Sequence, residues 1–206
     1  ERPVLNIGIL RSMGDLRLNR YVSYFSKHTS DFALTIYDME EEEILLDLRE
    51  NRIDIAMLYL PNDKDMSMYS STSICEDTMV YFAPRLLKGK EPISREDILA
   101  NKFVMYPPKY FISRVLKNYL GDFAITRSNY NRLSNPGAMI NYCRQNDAGA
   151  IISKRLLHAL GISEGCVEWQ QPLKLQACFA YRKSNSKWDV MKLFMDHVVA
   201  DAPKVI

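Results

Sequence analysis

Apolar runs and amphipathic stretches alternate over the first sixty or so residues of this chain. Leu5-Asn6-Ile7-Gly8-Ile9-Leu10 is a short, nearly continuous apolar run, and residues 33–37 and 53–60 form two more. Between them Leu18, Tyr21, Val22 and Phe25, then Ile44, Leu45 and Leu48, recur at helical spacing. Continuous apolar runs mark strands buried on both faces, and crossover helices join such strands in parallel. The order predicts a β-α-β-α-β unit over residues 5–60, with ligands expected beyond the carboxyl ends of its strands, where helix N-termini point.

A turn cluster, Pro61-Asn62-Asp63-Lys64-Asp65, precedes two extended segments at 66–73 and 77–83, and then the pattern restarts. Ser94-Arg95-Glu96-Asp97 has the form of a helix cap. Residues 103–106 read as a short strand stopped by Pro107-Pro108, and Ile112, Val115, Leu116 and Tyr119 as one face of a helix ending before Gly121. A brief strand is expected at 124–126. Ser134-Asn135-Pro136 is the strongest helix start in the chain, with cap residues followed by proline at the first helical position, and that helix turns Met139, Ile140 and Cys143 inward. A turn at 146–149, a strand at 150–152 and a helix over 155–160 with Gly161 past its end follow. An extended run at 173–182 leads to a last helix at 187–199, with Val190, Leu193, Phe194 and Val198 as its apolar stripe. This helix has no strand of its own unit to cover, and its expected place is back on the first unit.

Composition narrows the class. The 206 residues are 47% hydrophobic and 25% charged with net charge +2, a globular balance without the concentrated basic face of a nucleic-acid binder. Cys75, Cys143, Cys166 and Cys178 lack CxxC spacing and are expected as reduced thiols. No apolar run approaches the ~18 residues of a membrane span. A cytoplasmic location is expected, although a cleaved signal peptide would leave no trace. The acidic run at 40–43 suits the first turn of a helix, and a metal site there is the minority reading. His28, His158 and His197 are scattered, and GxSxG, GxxxxGK[ST] and HExxH patterns are absent, so no catalytic residue, metal ligand or cofactor is expected. Asp54, inside a buried-looking segment, needs a partner and reads as structural.

The ordered set Leu5-Asn6-Ile7-Gly8, an amphipathic helix ending near Phe25, 34–37, and Asn51-Arg52-Ile53-Asp54-Ile55-Ala56 resembles the effector-binding domain of LysR-type transcriptional regulators. Ala148-Gly149-Ala150-Ile151-Ile152 is similar to a second stretch of that family, with Ser153 where the family has proline. Thr29-Ser30-Asp31 departs from the family pattern before the second strand. The resemblance implies an α/β fold of two Rossmann-like subdomains joined by two crossover strands, like type 2 periplasmic binding proteins. Residues 1–82 with 182–206 would form the first subdomain and 83–181 the second. A small-molecule effector would bind in the cleft between them. DNA would be contacted only through a winged helix-turn-helix not present in this chain, and pairing of helix one with helix two of another copy would make a homodimer.

The site expected from strand ends and helix starts comprises Arg11, Ser12, Met13, Tyr59 and Leu60 on one side, and Tyr106, Pro107, Lys109, Ser134, Asn135 and Gly149 on the other. Several have a plain alternative. Ser12, Ser134 and Asn135 would bind the effector or cap their own helices. Arg11 would take a carboxylate bidentately or pair with Asp15 or Asp38. The tyrosines would line the cleft or the core, and Gly149 would admit close backbone approach or serve a turn. Arg11 and Lys109 point to a small carboxylate as the effector class. Two other readings share the fold: the solute-binding protein of a transporter, and an enzyme such as a dehydratase.

Overall fold

The computed structural model describes residues 2–13, 18–29, 31–61, 63–121 and 130–202. Asp15, one of the pairing candidates for Arg11, the side chain of Leu18, Ser30 and Asn62 of the expected turns, and the strand expected at 124–126 lie outside the described residues. Two compact units divide the chain, Glu1–Asp77 with Leu175–Ile206, and Thr78–Lys174.

In the first unit β1 (Val4–Leu10) lies between β2 (Ala33–Met39) and β3 (Ile55–Tyr59), parallel to both, with Ile7 opposite Ile36 and Ile55. A central strand is covered on both faces, and Leu5, Ile7, Ile9 and Leu10 are buried. The other edge of β3 pairs antiparallel with β9 (Leu173–Tyr181), Met57 opposite Phe179. Helix α1 (Leu18–His28) buries Tyr21 and Phe25. Helix α2 (Glu41–Arg49) opens on a capping box in which the Glu40 amide donates to Glu43 Oε2 at 3.0 Å. The acidic start is not wholly solvated, because Glu41 is buried.

The last helix, α7 (Trp188–Asp201), returns to this unit, where Phe194 meets Phe25 at 5.7 Å between ring centroids. Its inner stripe is Met191, Phe194, Met195 and Val198, while Leu193 is exposed. The expected stripe included Val190 and Leu193. Both sets have helical spacing, since apolar residues cover more than one side of a helix whose polar residues are Asp189, Lys192, Asp196, His197 and Asp201, and two adaptable methionines fill the inner side.

Asp54 ties these elements. Its Oδ2 accepts from the Asn6 amide and from Lys187 Nζ, each at 2.8 Å, and its Oδ1 accepts from Asn185 Nδ2 at 2.9 Å. One buried carboxylate thereby holds the start of β3, the middle of β1 and the entry to α7, as the structural reading required.

A single strand, β4 (Ser70–Phe82), replaces the two extended segments expected. The polar stretch Cys75-Glu76-Asp77 had masked its continuity. Asp77 is buried because the Tyr59 hydroxyl donates to it at 2.6 Å. The chain leaves the first unit within β4, after Asp77, and returns within β9, at Leu175.

In the second unit β5 (Phe103–Met105) is central, parallel to β6 (Tyr130–Arg132) and β7 (Gly149–Ser153). Residues 79–82 of β4 pair antiparallel with β7, and β8 (Cys166–Val167) pairs antiparallel with β4. The helices are α3 (Arg95–Ala100), α4 (Phe111–Leu120), α5 (Pro136–Gln145) and α6 (Lys154–Ala159). Side-chain caps start three of them. Ser94 Oγ accepts from the Asp97 amide, Asn135 Oδ1 from Ala138 and Ser153 Oγ from Leu156, each at 3.1 Å. The serine that replaces the family's proline therefore starts α6. Gly121 and Gly161, past two helix ends, have φ of 82° and 70°.

None of the four cysteines is in a disulfide, and burial pushes the Cys143 thiol up to about 12 and Cys178 up to about 11. Among the described residues no helix is long and apolar enough to cross a membrane, and no group of His, Cys, Asp and Glu side chains has the arrangement of a metal site.

Candidate functional site

In the first unit the end of β1 runs straight into a 3-10 turn, Arg11–Met13. Ser12 is 4% exposed and Met13 1%. Among the described residues the buried Ser12 hydroxyl oxygen has no hydrogen-bond partner. Most buried polar groups in native proteins are bonded, and leaving one unmade costs about 1–3 kcal/mol. Arg11 is drawn to Asp38 at the end of β2: its Nε lies 3.7 Å from Asp38 Oδ2, and its Nη2 donates to the Asp38 carbonyl at 3.2 Å. Partial burial raises the Asp38 pKa above the usual carboxylate value, and the Arg11 guanidinium offsets part of that.

The parallel register of β1 and β3, Ile9 opposite Met57, places Arg11 level with Tyr59 when continued past both strands. Arg11, Ser12, Met13, Tyr59 and Leu60 therefore share one carboxyl edge. Tyr59 is 1% exposed and its hydroxyl is committed to Asp77. Leu60 is 42% exposed, and its amide donates to the Gln176 carbonyl at 2.9 Å. The Gln176 amide nitrogen donates to Ser73 Oγ at 2.7 Å and to the Cys75 carbonyl at 2.9 Å, which stiffens this edge.

In the second unit Tyr106, Pro107 and Lys109 follow β5, while Ser134 and Asn135 follow β6, and Met105 opposite Arg132 puts both sets at one carboxyl edge. Tyr106 is buried and Lys109 exposed. The Tyr106 carbonyl accepts from Ser113 Oγ and from Arg132 Nη1, each at 2.8 Å. Asn135, rather than Ser134, caps α5. Arg132 is a cation of this edge that the sequence reading passed over. It lies in no motif, and only the register of a three-residue strand reveals its position.

Gly149 does not join these residues. It begins β7 and pairs with Phe103, which begins β5, so it lies at the amino edge. Parallel strands run in one direction, and the first residue of one sits far from the last residues of its neighbours. A Cβ on Gly149 would lie 2.2 Å from the Tyr81 ring, so this glycine admits a tyrosine.

Two α/β units of parallel strands, linked through two long strands, define a fold of the type 2 periplasmic-binding-protein kind. The chain belongs to the LysR substrate binding domain family, which matches residues 1–203, and is a ligand-sensing regulatory domain of the LysR type. No curated protein matches it. Among solved structures, an OxyR mutant from Porphyromonas gingivalis superposes with a TM-score of 0.80 at 12% identity, over 98% of this chain and 94% of that one. The reduced form of the OxyR regulatory domain from Pseudomonas aeruginosa gives 0.78 at 10% identity, over 97% of this chain and 98% of the other. An OxyR mutant from Corynebacterium glutamicum gives 0.76 at 12% identity, and there the match covers 98% of this chain but 66% of the longer one. At such identities the likeness is one of fold.

Proposed function

We propose that the effector of this regulatory domain is held at the carboxyl edge of the first unit against Ser12 and Met13, beside Leu60. In the second unit Tyr106, Pro107, Lys109 and Ser134 take the same role at their own carboxyl edge. The observation that supports the reading is the Ser12 hydroxyl, buried just past the end of β1 and without a hydrogen-bond partner among the described residues. A ligand atom that bonds it removes a standing cost of the free protein. Arg11 and Lys109 favour a small carboxylate, which at Arg11 shares the guanidinium with Asp38. The effector shifts the regulator only by its differential affinity for two conformations, and a separate domain contacts DNA. No catalytic step is assigned to these residues.

A thermal-shift screen of small polar metabolites tests this, because a ligand at 100 times its Kd stabilises by about 2.7 kcal/mol. Ser12→Ala should leave the unliganded domain as stable as before, or up to about 1 kcal/mol more stable. Its affinity for the screening hit should fall at least about tenfold, roughly 1.4 kcal/mol. Equal affinity in variant and wild type would rule the site out, and hits confined to neutral compounds would rule out the carboxylate.

We also propose a homodimer through α1 and α2, in which exposed Arg20 and Lys27 of one copy meet Glu42 and Glu43 of the other. Charge reversal, Glu42→Lys with Glu43→Lys, should weaken the dimer in sedimentation equilibrium. An unchanged dissociation constant would refute the pairing.

A further inference from the structure

The second unit contains a cavity of about 970 Å³ that shares no residue with either carboxyl edge. Among the residues that line it, Phe82 of β4 and Val167 of β8 are buried and Leu87 and Ile162 half-buried. Two segments wall it, 84–92 and 160–168, and hydrogen bonds fasten them together at both ends. The Ala83 amide donates to the Gly165 carbonyl at 2.8 Å, the Ile93 amide to the Glu168 carbonyl at 2.9 Å, and the Gln170 amide to the Ile93 carbonyl at 3.0 Å. Gly165 has φ of 72°, and a Cβ there would lie 2.6 Å from Pro84 Cβ, so only glycine permits this closure.

The rim is basic. Lys88 and Lys90, either side of Gly89, come from the first wall, Arg144 from the last turn of α5 and Lys154 from the start of α6. Glu168 occupies Lys154 at 2.6 Å. Lys88, Lys90 and Arg144 form no ion pair among the described residues, and Glu164 is the other acid on the lining. Several like charges gathered over a low-dielectric concavity focus a positive potential into it. The volume is that of a small-molecule pocket, for which an apolar lining with a few polar groups is the rule.

We propose that this cavity is a second ligand site, which takes an amphiphilic anion. An alkyl or aryl body lies on Phe82, Leu87, Ile162 and Val167, and a phosphate or carboxylate head lies among Lys88, Lys90 and Arg144. The inference is independent of the effector site proposed above.

Isothermal titration with octyl phosphate, octanoate, octanol and inorganic phosphate, at about 0.15 M salt so that exposed charges are screened, tests it on the intact chain. Octyl phosphate or octanoate should bind at least about tenfold more tightly than octanol or inorganic phosphate, and the better of the two identifies the head. Lys88→Glu with Lys90→Glu should reduce that affinity at least about tenfold, whereas Ser12→Ala should leave it unchanged. Equal binding of octanol and the anions, no binding of either anion, or loss of binding in Ser12→Ala would overturn the proposal. Amide chemical-shift mapping on the wild type decides the same point should the charge-reversed chain fail to fold. The largest changes are expected at Gly161, Ile162 and Cys166, and changes centred on Ser12 and Met13 would contradict it.

Discussion

Asp54→Ala should cost the domain about 3–5 kcal/mol, the range for removing one partner of a buried charge pair. The carboxylate is the common acceptor for the Asn6 amide, Lys187 and Asn185, which belong to β1 and to the approach to α7. Alanine leaves a part-buried amide without that acceptor and takes the carboxylate from Lys187 Nζ, which among the described residues keeps the Val4 carbonyl at 2.7 Å. Because the Lys187 side chain is 30% exposed, water recovers part of its solvation, and the loss belongs near the lower end of the range. Asp54→Asn keeps an acceptor for the Asn6 amide and should lose less. Urea unfolding at constant m-value measures both. A loss under about 1 kcal/mol in the alanine variant would show that the carboxylate does not tie these elements together.

Gly149→Ala should destabilise by at least about 1–3 kcal/mol, the cost of overpacking a core. The added methyl would lie 2.2 Å from the ring of Tyr81, which is fully buried and stacks on Phe103 at 6.5 Å between centroids. Neither ring can step aside without moving β4 or β5. In a Tyr81→Ala background the same change should be close to neutral, and the double-mutant cycle should return a coupling above about 1 kcal/mol. Equal penalties in the two backgrounds would mean that the glycine serves something other than Tyr81. The folded Gly149→Ala protein should bind effector normally, since residue 149 begins β7 at the amino edge.

These two positions also show what was legible in the sequence. Capping chemistry is local, so Ser94, Asn135 and Gly161 were readable at their positions before any tertiary contact was known. The three parallel strands of the first unit were legible because a strand buried on both faces reads as a continuous apolar run. Gly149 was read as admitting a ligand or serving a turn, whereas the group against it is the Tyr81 ring, which depends on the pairing of β4 with β7 that no local pattern encodes. The same limit hid Arg132, which register alone brings beside Tyr106. Helix α7 was located correctly but turned, because an apolar helix offers more than one stripe to a core. At Ser12 the sequence left a choice between cap and ligand, and what the structure adds is a buried oxygen with no hydrogen-bond partner among the described residues.

The central claim is that the effector is sensed at the carboxyl edge of β1 and β3. Hydrogen exchange with mass-spectrometric readout, on the domain with and without a ligand from the thermal-shift screen, tests it most directly. The account predicts that ligand slows exchange most at residues 10–13 and around Leu60, and that Ser12→Ala abolishes that protection at the same ligand concentration. Protection confined to residues 84–92 and 160–168, with residues 10–13 unchanged, would contradict it.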